Sequence, residues 1–349
     1  MDKTNKTDIK SLTKAELSDE LKQFDFPSFR VDQIYDWLHI KFADSFDEMT
    51  NVSKDMRKLL AEYFEIKTVK IAKKLVSEID STRKYLFELN DGEYIESVLM
   101  KYKYGYSICV STQVGCNMGC KFCASTLNGC VRSLEPSEIL SQLYAASKDI
   151  SQRISHIVLM GMGEPLDNFD NVLKFIELVT NKDGVNLSAR NITLSTCGIV
   201  PKIKLLADMN LPITLSVSLH APVDELRSKT MPVNNKWGID EVLAACKDYA
   251  NKTSRRVSFE YAMIKGVNDS AECAEQLAGL LSGMLAHVNL IPVNNVEENS
   301  FIRSDDSSIK EFENILKSKH IAVTVRRTLG ADINASCGQL RRSNQNKRR

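Results

Sequence analysis

The chain has 349 residues, 43% of them hydrophobic, with 46 Lys and Arg against 45 Asp and Glu, enough apolar material for one large core with an appendage. Nine cysteines in that length exclude a short secreted scaffold stapled by disulfides. No uninterrupted apolar run approaches the roughly 18 residues that a membrane-spanning helix needs.

The first residues, MDKTNKTDIKSLTKAEL, are polar and carry no apolar h-region, so no signal peptide is expected and a reducing cytoplasm is the expected compartment. Residues 11 to about 64 read as helical, with LTKAELSDELKQF and SKDMRKLLAEYF placing apolar residues at threes and fours. These residues, 1–64, are expected to form an accessory domain. A short β extension over 65–106 follows, in which Asp91-Gly92 separates two strand-like runs as a hairpin turn does.

From about residue 107 the pattern alternates. SICVS, SHIVLMG, NITLST, PITLSVSLH, RVSFEYAMI and HVNLIPVN read as strands, and segments such as PSEILSQLYAASK, NVLKFIELVTN, IDEVLAACKDYA and AECAEQLAGLLS read as helices. Six strands alternating with helices predict an α/β fold with a parallel sheet. Right-handed crossovers curl such a sheet toward a barrel with its chemistry at the C-terminal strand ends. Eight units would close it, so a partial (β/α)6 barrel over 107–330 is expected, with HIAVTVRRT as a terminal run and 331–349 as a final loop and tail. The net charge of +1 is uneven: from Lys319 onward eight basic residues face one acid, Asp332, leaving about −6 on the rest. The last nine residues, RRSNQNKRR, hold five of those cations. A basic end on an acidic body suits a polyanion such as RNA, and equally a solvated terminus.

Cys116, Cys120 and Cys123 follow the first barrel strand in GCNMGCKFC. Three thiolates could hold zinc with one open position, or three irons of a [4Fe–4S] cluster with the fourth iron open. Zinc sites more often use CxxC pairs, and no second CxxC or His pair completes one. The cluster is therefore expected, with a substrate at the open iron.

CxxxCxxC in this setting resembles the radical S-adenosylmethionine (SAM) superfamily, in which the methionine end of SAM chelates the open iron and is cleaved to a 5′-deoxyadenosyl radical. Other strand ends offer SAM contacts: Gly163 and Glu164 in MGMGEP, Ser195 in TLSTCG, Ser218, Leu219 and His220 in SVSLH, and Asn294 in LIPVN. Singly, each is as well explained as ordinary structure; His220 could simply bond backbone. The runs SICVSTQVGCNMGCKFCAST, MGMGEPL, SLHAP, VNLIPVN and GADINASCGQL are similar to the bacterial radical SAM RNA adenine carbon-2 methyltransferases, and the helical N-terminus resembles that family's RNA-binding domain more loosely. The resemblance implies methylation of an adenine in the peptidyl-transferase centre of 23S rRNA and of the adenine beside the anticodon in some tRNAs. It also implies two SAM per turnover and an electron donor such as flavodoxin or ferredoxin.

Adenine carbon-2 is electron-poor and is not a nucleophile toward a sulfonium methyl group. By the same resemblance Cys337 is first methylated, its methyl carbon then adds to the ring, and Cys109 resolves the resulting thioether by forming a transient disulfide with Cys337. Glu96 matches the family's proton acceptor, although alone it reads as an exposed hairpin carboxylate. Cys130, Cys197, Cys246 and Cys273 read as core. Two rivals stand beside this assignment: the related carbon-8 methyltransferases, which share all five cysteines, and a non-enzymatic RNA-binding protein with a structural cluster.

Overall fold

The computed structural model describes residues 6–294 and 301–340; the basic run RRSNQNKRR lies outside them. After a two-residue strand β1 (Thr7–Asp8) come three helices, α1 (Lys14–Lys22), α2 (Phe29–His39) and α3 (Lys54–Tyr63), and β2 (Phe64–Glu65), which pairs with β1. Thr13 and Glu16 close a capping box at the start of α1, so the helix begins where its free backbone N–H groups find side-chain oxygens. Ile9, Leu17, Leu21, Ile34, Leu38, Leu60 and Phe64 form a small core of their own.

The second body is built on a ten-stranded sheet. Antiparallel β3 (Lys70–Val76), β4 (Arg83–Glu88) and β5 (Tyr94–Tyr102) lead into β6 (Gly105–Cys109). A small hairpin of β7 (Gln113–Gly115) and β8 (Cys130–Ser133) stands outside the sheet and carries the three-cysteine loop. Then α4 (Pro136–Ile150), β9 (Ile154–Leu159), α5 (Phe169–Thr180), β10 (Ile192–Thr196), α6 (Val200–Asp208) and β11 (Thr214–Ser218) alternate. After them come α7 (Asp224–Thr230), α8 (Ile239–Thr253), β12 (Val257–Met263), α9 (Ala271–Leu281), β13 (Ala286–Pro292), α10 (Asp306–Ser318) and β14 (Ala322–Val325). From β6 to β14 every neighbouring pair is parallel.

The six expected strands stand in the expected order, and the terminal run HIAVTV adds a short seventh parallel strand, β14, beside β13. The β extension is continuous with the barrel sheet, because Val98 of β5 pairs with Cys109 of β6. Among the described residues no helix is long and apolar enough to cross a membrane.

The helical region docks on α4. Phe42 stacks on Tyr144 at 4.2 Å between centroids, and His39 Nδ1 lies 2.8 Å from the Tyr144 hydroxyl. His39 is fully buried, and burial pulls its pKa down to about 3. Its folded pKa is below the unfolded value near 6.5, so the unfolded chain binds the extra proton; stability is present above that pH and lost below it. Between pH 6.5 and 4.5, urea titrations should show stability falling more steeply in the native chain than in His39→Gln, by about 1.4 kcal/mol per pH unit. Equal slopes would mean that His39 is protonated in the folded state.

Candidate active site

The cysteine loop is fixed by backbone geometry. Gly115 has φ +86°, and a Cβ on it would stand 1.9 Å from the Gly129 carbonyl oxygen, so the β7–β8 crossing accepts no side chain there. Inside the hairpin Cys123 N donates to Cys120 O, and Lys121 N donates to Thr230 O at 2.9 Å, seating the loop on α7. Ala124 N donates to Gly338 O at 2.8 Å and Ser125 Oγ to Leu340 O at 2.8 Å. The C-terminal segment bearing Cys337 is thereby clamped to the loop bearing the three cysteines, 214 positions earlier at Cys123.

One cavity at the C-terminal strand ends is lined by Cys116, Cys120 and Cys123 together with Gly163, Glu164, Ser195, Ser218, His220, Asn294 and Cys337. In the sequence these residues stand on five separate strand ends and, for Cys337, in the final loop. Burial pushes the Cys116 thiol up to about 12 and raises Cys120 and Cys123, whose neighbouring thiols raise Cys120 further. Deprotonating three such thiols is tenable only if positive charge arrives with them, as iron would bring. Among the described residues no three His, Cys, Asp or Glu side chains converge as ligands of a single ion would. A cubane, with its irons on separate corners, asks instead for thiols spread over one wall, and these residues fit it.

Around that wall the polar groups are held. Gly163 has φ +99° and packs so closely on Gln113 that a Cβ would come within 2.6 Å of it. Glu164 is buried; its Oε1 accepts from Leu166 N at 3.0 Å and its Oε2 from Cys197 N at 2.8 Å, while burial raises its pKa. The carboxyl group is thus oriented by backbone and retains lone pairs toward the cavity. His220 takes φ +55°, and its Nδ1 accepts from Ala262 N at 2.9 Å. Burial lowers its pKa to about 3, so the ring is neutral, with Nε2–H as its remaining donor. Phe122 of the cysteine loop sits edge-on to that ring at 4.8 Å. Leu219 does not line the cavity: its side chain lies in the core, while its backbone N donates to Glu260 O and its carbonyl accepts from Arg227.

A second, adjoining cavity is lined by Cys109, Cys337, Val98, Met100, Tyr102 and Asn294. The two cysteines that sequence reasoning paired across 228 positions therefore face one space. Cys109 is buried, and burial, then Cys337, pushes its pKa up to about 12. Asn294 Nδ2 donates to the Cys337 carbonyl at 3.2 Å and touches both cavities. Glu96 lines neither. It lies on β5 with the parity of Val98, Met100 and Tyr102, hence on the face that looks toward Cys109. It is buried, and Lys84 Nζ, 3.0 Å from its Oε1, also donates to the Asn334 carbonyl three residues before Cys337. The plain reading of Glu96 as an exposed hairpin carboxylate does not hold.

Sequence reasoning missed Arg326, which lines both cavities. Its pKa is raised first by Cys337, and Glu260 lies behind it at 3.9 Å. The signal available was VRRT, a basic pair directly after the last strand-like run. Cys197, read as core, is buried but also faces the first cavity; Cys246 and Cys273 are core cysteines as expected.

Comparison with known proteins fits this geometry. Residues 110–277 match the family described as "Radical SAM superfamily", and residues 7–66 match "Ribosomal RNA large subunit methyltransferase N-terminal domain". A protein of Lachnoclostridium phytofermentans described as "Probable dual-specificity RNA methyltransferase RlmN" is 52% identical over 340 residues, covering 97% of this chain and 96% of its own. One of Clostridium botulinum (strain Okra) with the same description is 55% identical over 335 residues, covering 96% and 98%. The crystal structure of a radical SAM methyltransferase from Sphaerobacter thermophilus superposes with a TM-score of 0.93 at 41% identity, over 96% of this chain and 99% of that one. With relatives this similar over nearly the whole length, the chain belongs to the RlmN family of radical SAM RNA methyltransferases.

Proposed function

We propose that this RNA methyltransferase places its methyl group on carbon-2 of adenine in 23S rRNA, at the peptidyl-transferase centre, and in tRNA, beside the anticodon. The observation that carries the reading is the pair of adjoining cavities: Cys337 stands at their junction, with Cys109 on one side and the three-cysteine wall on the other. Cys116, Cys120 and Cys123 would hold a [4Fe–4S] cluster, and Gly163, Glu164, Ser195, Ser218, His220 and Asn294 the SAM. Bound there, the pair would supply a radical able to take hydrogen from an S-methyl group.

The remaining work falls to the chain itself. Cys337 carries the methyl group and becomes the point of attachment to the RNA. Asn294, bonded to the Cys337 carbonyl, fixes that segment at the mouth of the first cavity. Glu96 would accept the ring proton from its buried place beside Lys84. Cys109 would attack Cys337 and release the RNA with a disulfide left behind; its thiol must first lose a proton that burial makes it keep.

Mass spectrometry of 23S rRNA and tRNA from a strain lacking the gene, with and without this chain restored, should find methyl on adenine carbon-2 only when the chain is present. Methyl on carbon-8 would move the chain to the related specificity. No methyl, with RNA still bound, would leave an iron–sulfur RNA-binding protein.

A further inference from the structure

Arg227 on α7 is fully buried, and all five of its hydrogen bonds go to neutral oxygens. Nε donates to Leu219 O at 3.2 Å, Nη1 to Asn234 Oδ1 at 2.8 Å and Trp237 O at 3.4 Å, and Nη2 to Cys197 O at 2.6 Å and Ser218 O at 3.2 Å. Among the described residues no carboxylate stands within ion-pair distance of it. Of the two acids on its own helix, Asp224 is turned to Asn234 Nδ2 at 2.9 Å and Ile239 N at 3.0 Å, and Glu225 is exposed. Buried charges are normally paired, because an isolated one forfeits its hydration with nothing to offset the loss. Burial accordingly lowers the pKa of this guanidinium, and the groups that raise it again are Cys197 and Cys120, then Asp224.

The place of this cation in the fold is specific. Cys197 and Ser218, whose carbonyls it holds, line the first cavity beside Cys120. Thr230, one turn beyond Arg227, accepts from Lys121 N in the cysteine loop at 2.9 Å. Helix α7 thus carries a positive charge behind the cavity wall at Cys197 and Ser218 and is bonded to the cysteine loop. We infer that Arg227 is the buried counter-charge of the cluster held by Cys116, Cys120 and Cys123, and that it raises the ease with which that cluster accepts an electron. This rests on the site reading given above.

The charge count supports it. Three thiolates on a [4Fe–4S]2+ core sum to −1, and one electron from an external reductant takes the core to 1+ and the assembly to −2. A fixed cation nearby in a medium of low dielectric stabilises the second state more than the first. Arginine suits the post because it keeps its proton when buried and its planar fork can satisfy several carbonyls at once. A purely structural cross-link between the loops after β10 and β11 would use the same hydrogen bonds but leave the electron affinity of the cluster untouched.

The test is a redox titration, with the reduced cluster followed by electron paramagnetic resonance, on anaerobically reconstituted native protein, Arg227→Lys and Arg227→Gln, with folding checked by circular dichroism. At a fixed solution potential Arg227→Gln should show a reduced-to-oxidised ratio at least tenfold lower, about 59 mV for a one-electron couple. Arg227→Lys, which keeps the charge, should stay within about threefold of native. Arg227→Met serves as the neutral variant if Arg227→Gln does not fold. Unchanged potentials in a folded neutral variant overturn the role of Arg227 and leave the site reading intact. If neither neutral variant folds while Arg227→Lys does, Arg227 is a structural cation and the inference is likewise overturned. Failure of the native protein to take up any cubane overturns the site reading and this inference with it.

Discussion

Anaerobically reconstituted protein should hold about four irons and absorb broadly at roughly 400 nm, and alanine at Cys116, Cys120 or Cys123 should abolish that band together with SAM cleavage. The loss is expected to be complete because three thiolates and SAM complete one cubane, and removing a thiolate leaves one iron without its ligand. Cys197 faces the same cavity, but its backbone N–H is tied to Glu164 and its carbonyl to Arg227. Cys130 lies on β8, paired with Gly115, and does not line the cavity. Cys197→Ser and Cys130→Ser should therefore keep the cluster. Iron retained in any one of the three alanine variants would strike that cysteine from the ligand set, and iron lost in Cys197→Ser would add a fourth.

Much of this was legible in the sequence because two signals are local. Strand runs such as NITLST and RVSFEYAMI are bounded by polar turns and separated by helical spacing, and the order of a parallel sheet follows from that alternation. Cys116, Cys120 and Cys123 crowd into eight positions, so their shared wall needed no tertiary knowledge. Helix α2 was also within reach, since Val31, Ile34, Tyr35 and Leu38 repeat at helical spacing and are buried. What could not be read is contact between distant segments. Glu96 looked exposed because a hairpin normally leaves one face to water. Its burial depends on β3 to β5 extending the barrel sheet and on the segment around Asn334 crossing over Lys84. Arg227 sits in an ordinary polar helix, DELRSKT, and only the loops after β10 and β11 turn it inward. The meeting of Cys109 with Cys337 came from family resemblance and not from spacing; the shared cavity now supplies a geometric reason.

That shared cavity makes the division of labour between the two cysteines open to a decisive experiment. Cys337→Ala should still cleave some SAM, because the three-cysteine wall and its SAM contacts are untouched, yet transfer no methyl to RNA. Cys109→Ala should proceed as far as the thioether and stop, since in the proposed mechanism Cys109 acts only on the finished adduct. The variant should accumulate a covalent protein–RNA species that survives denaturation, with a mass equal to protein plus RNA plus one carbon, since the bridging methylene replaces the thiol hydrogen and the ring hydrogen. Cys109→Ala/Cys337→Ala should show none, because the attachment atom is gone. Burial sharpens the expectation: with Cys109 enclosed among Val98, Met100 and Tyr102, an added small thiol should release the trapped RNA slowly in the folded variant. Glu96→Gln should also slow release of the RNA, because the ring proton has to leave before the link is resolved. Free turnover by Cys109→Ala with no adduct, or methylation by Cys337→Ala, would remove the two-cysteine mechanism from this protein while leaving the cluster wall as a radical SAM site serving a different acceptor.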